Sequence, residues 1–187
     1  DRYASDLSIK TLNHSLISFI VVDSTQGINF EDMRLINESI EKFCTPILVL
    51  NKWDLLNEED KLNINSNLKT QLKKFSWLNV IRISALTTKG LNKFSKTLDE
   101  VNSQLNNRID TSDLNLYFRE LWVAKPPHPF RGKRAKLKYV TQYDISPPSF
   151  SFNLSSRIPK NYFSFIENKL REEFGFKNVS LKIKYKT

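Results

Sequence analysis

The stretch Pro46-Ile-Leu-Val-Leu-Asn-Lys-Trp-Asp54 decides the fold of the first part of this 187-residue chain. It begins with five apolar residues and ends in a polar loop, a pattern typical of a strand buried on both faces of a parallel sheet. Similar apolar runs occur at residues 15–23 and 78–83. Apolar residues at helical spacing occupy residues 29–43 and 88–105, and a polar helical stretch covers 57–75. Asn29 is the expected N-cap of the first of these helices, with Asp32 three residues further on. This alternation predicts an α/β fold, a parallel sheet covered by helices.

The loops that follow the strands are the candidate binding site, because ligands of such sheets bind beyond the carboxyl ends of the strands. Asn51-Lys52-Trp53-Asp54 follows the second strand, and Ser84-Ala85-Leu86 follows the third. In this order, the two loops resemble the guanine-specificity loops of GTPases. The resemblance implies a P-loop-type GTPase domain, present only in part, that binds GTP or GDP. The alternative is two ordinary polar turns, where Asn, Asp and Ser are common.

Guanine chemistry gives each of these residues an expected role. The Asp54 carboxylate would accept hydrogen bonds from N1–H and the N2 amine of guanine, a donor pair that adenine lacks. Lys52 would lay its aliphatic stem over the base, and Asn51 would tie the loop and reach the imidazole side. The Ala85 N–H would donate to O6, beside Ser84, which shapes the turn. Trp53 is expected to pack within the loop, and Arg82 to face a helix or lie at an edge.

A phosphate-binding loop is missing from the sequence. Such a loop needs Gly-x-x-x-x-Gly-Lys-Ser/Thr, and none of the glycines Gly27, Gly90, Gly132 and Gly175 makes one. Asp23-Ser-Thr-Gln-Gly27 does not have the spacing of a magnesium and switch motif. We therefore expect the chain to be the C-terminal part of a longer protein, with Mg²⁺ bound through elements absent here. Catalytic residues are not assigned, and we expect no GTP hydrolysis by this chain alone.

The charge differs between the two parts of the chain. The whole net charge of +9 lies in residues 113–187, which hold 15 Lys and Arg against 6 Asp and Glu. Such an excess favours a polyanionic partner, either nucleic acid or an acidic membrane surface, although a solvated basic surface would look the same. No apolar run reaches the ~18 residues of a membrane helix. The single cysteine, Cys44, suits a reducing cytoplasm, and no metal-ligand cluster is visible.

The second part predicts a helix at 113–124, strands at 135–143 and 150–154, a helix at 159–174 that ends at Gly175, and a strand at 179–185. This α-β-β-α-β order predicts a three-stranded sheet on helices, as in KH-like modules. Three of its segments resemble the C-terminal domain of the bacterial double-GTPase family Der (EngA). They are Lys138-Tyr-Val-Thr-Gln142, Pro147-Pro-Ser-Phe150 and Leu170-Arg-Glu-Glu-Phe-Gly-Phe176. We therefore divide the chain into residues 1–108, the later part of the second GTPase domain, and residues 109–187, a KH-like domain.

The family resemblance implies a GTP-hydrolysing factor that matures the large ribosomal subunit and contacts ribosomal RNA and its own upstream GTPase domains. A KH module usually clamps RNA with Gly-x-x-Gly, which is absent. RNA contacts are therefore expected from a basic cluster, with a contribution from Lys182, Lys184 and Lys186 left open. The cluster comprises Arg131, Lys133, Arg134, Lys136 and Lys138. The aromatic residues Tyr139, Phe150, Phe152, Phe163 and Phe174 are predicted to be core.

Two other functions remain open from the sequence alone. The chain could be a non-enzymatic RNA-binding module supported by a degenerate GTPase half. The KH-like domain could also be an intramolecular scaffold that docks on the GTPase domain, with an incidental basic surface.

Overall fold

The computed structural model describes residues 11–187. Residues 1–10 lie outside it, among them the first four residues of the stretch 7–16, which has mixed helix-like spacing in the sequence. The chain forms two compact units. The first runs to Asn102 and includes Asn178–Ser180, and the second comprises Ser103–Lys177 and Leu181–Thr187.

The first unit is built on a parallel sheet of three strands within the described residues. These are β1 (Ile17–Asp23), β2 (Thr45–Asn51) and β3 (Asn79–Arg82), in the order β1-β2-β3. The central strand β2 is buried from residue 45 to residue 50, as expected of a strand with neighbours on both edges and helices on its faces. The predicted parallel α/β sheet is confirmed.

Among residues 17–105, the helices α1 (Phe30–Glu41), α2 (Glu58–Gln71) and α3 (Leu91–Leu105) accompany this sheet. The predicted N-cap of α1 is confirmed as a capping box, in which the Asp32 N–H donates to Asn29 Oδ1 at 3.0 Å and the Asn29 N–H donates to Asp32 Oδ2 at 2.9 Å. Helix α2 ends four residues earlier than predicted. The chain continues in a short 3₁₀ turn, Lys73–Phe75, because Leu72 and Phe75 turn into the core there.

The second unit has the predicted α-β-β-α-β order. It consists of α4 (Thr111–Ala124), β4 (Leu137–Ile145), β5 (Pro148–Leu154), α5 (Lys160–Phe174) and β6 (Lys182–Lys186). Strand β5 lies in the centre, antiparallel to β4 and parallel to β6. The predicted α/β fold and the α-β-β-α-β order of the second unit are therefore confirmed.

The core of the second unit is aromatic. Phe118, Phe150, Phe152 and Phe176 are fully buried, and the rings of Phe118 and Phe152 meet edge to face at 4.9 Å. Such pairs contribute about 0.5–1.5 kcal/mol beyond the burial of their area. The predicted core positions Phe150 and Phe152 are therefore confirmed.

The prediction that Tyr139 belongs to the core is wrong. On β4 the buried residues are Val140 and Gln142, whereas Tyr139 is 48% exposed and Tyr143 is 43% exposed. Side chains alternate along a strand, so the burial of Val140 places Tyr139 on the opposite face. Phe163 and Phe174 are half-buried.

The segment Leu170–Phe176 contains the end of α5 and the turn that follows it, and a buried arginine holds this turn. Arg171 is buried, and its guanidinium donates to the Phe176 carbonyl at 3.0 Å and to Glu167 Oε1 at 2.7 Å. Gly175, with φ 79°, ends the helix in the left-handed conformation, as predicted. The buried charge is therefore paired, and it holds the chain where it leaves the helix.

Gly90 is required by a close approach of two backbone segments. Its φ is 85°, and a Cβ at this position would lie 2.4 Å from the Arg82 carbonyl oxygen. Gly27 also has a positive φ, 72°, but nothing lies within 4 Å of its Cβ position. A side chain at either position would therefore be strained by the left-handed backbone, but only at position 90 would it also clash with a neighbouring backbone segment.

We expect Gly90→Ala to lower the free energy of unfolding by about 2–4 kcal/mol, because a left-handed backbone costs about 1–2 kcal/mol and the clash adds to it. The matched variant Gly27→Ala should lose only about 1–2 kcal/mol. Urea unfolding followed by circular dichroism measures both. Equal losses in the two variants would contradict the role given to the close approach.

Candidate functional site

The register of the parallel sheet brings the strand ends together. Asp23 at the end of β1 pairs with Asn51 at the end of β2, and Leu50 pairs with Arg82 at the end of β3. The loops that follow β2 and β3 therefore leave the sheet side by side, at its carboxyl edge. This is the edge at which ligands bind in α/β folds.

A hydrogen bond joins the two predicted loops across 34 residues of sequence. The Ala85 N–H donates to Asn51 Oδ1 at 3.0 Å, and the Trp53 N–H donates to the Ile83 carbonyl at 3.1 Å. The structure thus brings Asn51 and Ala85 together. The Ala85 N–H, predicted to donate to guanine O6, is already engaged by Asn51, so a base carbonyl would have to share or replace this bond.

Lys52 adopts a backbone conformation that is uncommon for a residue with a side chain. Its φ of 59° and ψ of 30° lie in the left-handed region, which costs of order 1–3 kcal/mol and is concentrated at functional sites. The Lys52 ammonium lies 2.7 Å from Asp23 Oδ2. This ion pair joins the Lys52 side chain to the last residue of β1.

Asp23 is the site residue that sequence reasoning missed. Its carboxylate also accepts hydrogen bonds from the Thr25 N–H at 3.0 Å and the Thr25 hydroxyl at 2.7 Å. The bonds from Lys52 and Thr25 lower the pKa of Asp23 to about 2. Its place at the end of a strand was visible in the sequence, but the contact with Lys52 depends on the pairing of β1 with β2.

Asp54 presents an exposed carboxylate. It lies in the 3₁₀ turn Trp53–Leu55, and within residues 11–187 no group bonds to its side chain. Trp53 packs against the core of the first unit, and the Arg82 guanidinium lies 5.3 Å from the centre of its ring. Trp53 is thus a packing residue, as predicted, and the Asp54 beside it is free to accept hydrogen bonds.

Arg82 lies between the loop and a helix. Its guanidinium donates to Asn65 Oδ1 of α2, as expected of a helix-facing residue. Burial lowers the pKa of the Arg82 guanidinium, but its ordinary value is so high that it stays charged.

The second loop is held by its own hydrogen bonds. Ser84 is buried; its N–H donates to the Lys89 carbonyl at 2.9 Å, and its hydroxyl accepts from the Thr87 N–H at 3.1 Å. Leu86 is 89% exposed. Ser84 therefore shapes the turn, whereas the Leu86 side chain extends into solvent.

The five basic residues predicted to contact RNA lie in and beside a tight turn, which we call the basic turn (residues 130–138). Phe130 and Lys133 exchange two backbone hydrogen bonds of 3.0 and 3.1 Å, and Arg131 and Gly132 between them have φ values of 50° and 76°. All five side chains are exposed: Arg131, Lys133, Arg134, Lys136 and Lys138. In the part of the chain that the structure describes, no carboxylate pairs with any of them.

The basic turn is anchored at its base. The Trp122 indole N–H donates to the Ala135 carbonyl at 2.9 Å, in a buried position. Lys136 and Ser155 are joined by two hydrogen bonds of 2.8 and 2.9 Å. The exposed charges therefore stand on a fixed backbone.

Residues 11–187 contain no group of three or more His, Cys, Asp or Glu that could hold a metal ion. We assign no Mg²⁺ ligand among these residues. Over the same residues, no helix is long and apolar enough to cross a membrane.

We expect Lys52→Met to raise the pKa of Asp23 from about 2 toward its ordinary value of about 3.9, because the ammonium partner is lost. In the unsubstituted chain the ion pair is complete above about pH 4 and is lost as the pH falls through about 2. A carboxyl ¹³C NMR titration measures this shift. Lys61→Met, which removes the 2.7 Å partner of Glu58, should leave Asp23 unchanged. An unaltered Asp23 titration in Lys52→Met would contradict the pairing.

Comparison with known proteins identifies domains and proteins that are similar to this chain. The model of the KH-domain-like domain found at the C-terminus of EngA bacterial GTPase enzymes matches residues 108–186. GTPase Der of Chlorobium luteolum is 32% identical over 99% of this chain and 43% of its own length. GTPase Der of Chlorobium limicola is 31% identical over 98% of this chain and 43% of its own length.

The chain therefore spans about two fifths of the length of these curated relatives. Among solved structures, Aquifex aeolicus Era bound to GDP·AlF₄⁻ aligns with a TM-score of 0.42 at 15% identity, over 95% of this chain and 67% of Era. Residues 108–186 therefore match the KH-domain-like domain of EngA bacterial GTPase enzymes, and nearly the whole chain is similar to a part of GTPase Der.

Proposed function

We propose that this chain supplies the base-recognition half of a guanine-nucleotide site and an RNA-contacting KH-like domain to a GTPase of ribosome assembly. The observation that carries the proposal is the Ala85–Asn51 hydrogen bond. It joins two loops of the expected types beside the Asp54 carboxylate, which has no hydrogen-bond partner among residues 11–187. GTP and GDP are the proposed ligands.

Base selection would rest on Asp54. Its two oxygens would accept from N1–H and the N2 amine of guanine, whereas adenine would leave the carboxylate without donors. Loss of a hydrogen bond to a charged group costs about 1.5–3 kcal/mol. Lys52 would cover the base, with Asp23 as its positioning residue through the 2.7 Å ion pair. Asn51 would reach the imidazole side of guanine once the base has entered.

GTP hydrolysis belongs, in this proposal, to the complete protein. Phosphoryl transfer depends on positioning of the phosphates and neutralisation of their charge, and no phosphate loop occurs in this sequence. Mg²⁺ would be bound together with the phosphates by the part of the complete protein that carries the phosphate loop. The present chain is accordingly proposed to select the base without turnover.

The large ribosomal subunit is the proposed partner of the second unit. The basic turn offers five exposed cations on an anchored backbone. Contacts of this kind bind phosphates and have a strong salt dependence, with little reading of sequence. The cytoplasm is the proposed location of this assembly step.

We expect GDP, but not ADP, to shift the amide NMR signals of Asn51–Asp54 and Ser84–Leu86 in the ¹⁵N-labelled chain. Asp54→Asn should weaken GDP binding by about tenfold or more and favour xanthosine diphosphate. Xanthine carries a carbonyl in place of the N2 amine, and the asparagine amide can donate to it. The matched control is Asp60→Asn, the same change of side chain at an exposed position in the first turn of α2. Equal shifts with GDP and ADP would contradict the base-recognition role.

We expect the chain to co-sediment with purified large ribosomal subunits at low salt and to be released as salt increases. The triple variant Lys133→Glu, Arg134→Glu and Lys136→Glu should lose binding. Its loss of up to three phosphate contacts should flatten the slope of log affinity against log salt by about 2–3.

A control with the same change in charge is available on the first unit. Lys69, Lys73 and Lys74 are exposed, and their reversal to Glu should leave most of the binding intact. If the basic-turn variant still binds as the unsubstituted chain does, the proposal for this surface is wrong, and a docking scaffold explains the second unit better. Absence of binding by a folded chain would also overturn it.

A further inference from the structure

The sheet of the second unit has one buried face and one face that is partly exposed. Val140, Phe150 and Phe152 lie on the buried face. The other face, which we call the open sheet face, comprises residues 139, 141, 143, 151, 153, 184 and 186. It carries two large aromatic side chains at the surface, Tyr139 and Tyr143, exposed by 48% and 43%.

The strand register places these side chains in cross-strand rows. Tyr139 pairs with Asn153, which pairs with Lys186, and the next row is Thr141, Ser151 and Lys184. Neighbouring strands lie about 4.8 Å apart. Each row therefore runs from a polar or aromatic residue on β4 to a lysine on β6.

A shallow groove of about 180 Å³ follows these rows. Tyr143 lies at one end, and the Lys184 ammonium stands 5.1 Å from the centre of its ring. Ser151, on the central strand, lines the groove and is 94% buried. Its hydroxyl has no hydrogen-bond partner among the described residues. A buried hydroxyl without a partner is unfavourable, and a ligand in the groove would supply one.

The charge of the open sheet face has one sign. None of its seven residues is Asp or Glu, and Lys184 and Lys186 are exposed. Neither lysine pairs with a carboxylate in the described part of the chain. A surface that combines aromatic rings with unneutralised cations suits single-stranded nucleic acid, whose bases stack and whose phosphates are anionic. A protein partner would leave these two charges in need of acidic groups.

We propose that the open sheet face binds single-stranded RNA, with bases stacked on Tyr139 and Tyr143 and phosphates held by Lys184 and Lys186. The two tyrosines are four residues apart on β4, about 13 Å along a strand, so they receive bases of non-adjacent nucleotides. The Ser151 hydroxyl, in the row between the two tyrosines, and Asn153, opposite Tyr139, offer hydrogen bonds to the bases. This inference goes beyond the proposed function, because it uses neither the guanine loops nor the basic turn.

The experiment compares a fluorescent ten-nucleotide adenosine RNA with an RNA of equal length that has abasic residues, by anisotropy on the full chain. The unsubstituted chain should prefer the oligonucleotide with bases. The double variant Tyr139→Thr with Tyr143→Thr keeps good strand-forming residues and should lose this preference. A stacked base contributes about 5-fold or more in affinity. The double variant Tyr139→Phe with Tyr143→Phe keeps the aromatic rings and should retain the preference for the oligonucleotide with bases.

Two controls separate this surface from others. Phe30→Ala removes a side chain that is 78% exposed in the first unit and should change nothing. The basic-turn variant should bind both oligonucleotides more weakly and keep the preference for bases. That result would support the open sheet face even if the large-subunit experiment failed.

Three outcomes would overturn the inference. They are no binding of either oligonucleotide by the folded chain, an unchanged preference in the threonine variant, and an equal loss in the phenylalanine variant. Circular dichroism of each variant establishes that it is folded. If RNA does not bind and the two tyrosines instead cause the chain to self-associate, the face is a protein interface.

Discussion

The structure of the first unit depends on the burial of β2 between two parallel neighbours. Residues 45–50 are buried, so the strand cannot slide without exposing apolar side chains or breaking its ladders on both edges. Parallel pairing with β1 and β3 then aligns Asp23, Asn51 and Arg82 at one end of the sheet. The Ala85–Asn51 and Lys52–Asp23 contacts both require that alignment.

The loops at this edge contain backbone that would be unfavourable elsewhere. Lys52 has a left-handed backbone, and Gly90 passes close to the Arg82 carbonyl. Rigid strands on either side compensate for these costs, because they hold the loop ends in place. The result is a pair of preformed loops, and a preformed site loses less entropy on binding a ligand.

In the second unit, the residues that pack the core are distinct from the exposed residues that we propose to bind RNA. Its aromatic core fills one face of a three-stranded sheet, and Arg171 ties the chain at the end of α5. The exposed features are the basic turn, anchored through Trp122, and the open sheet face. Since each surface stands on a fixed backbone, a substitution at its exposed side chains can change binding while the core stays intact.

The sequence by itself determined the order of helices and strands, the N-cap of α1, and the two loops that follow β2 and β3, because spacing and caps are local properties of the chain. Only the tertiary structure decided that Asp23 reaches Lys52 and that Tyr139 lies outside the core. The Asp23–Lys52 contact depends on the register between β1 and β2, two strands that are separated in sequence by helix α1. The position of Tyr139 depends on which face the helices cover, and an alternation of period two is the same whichever face is buried.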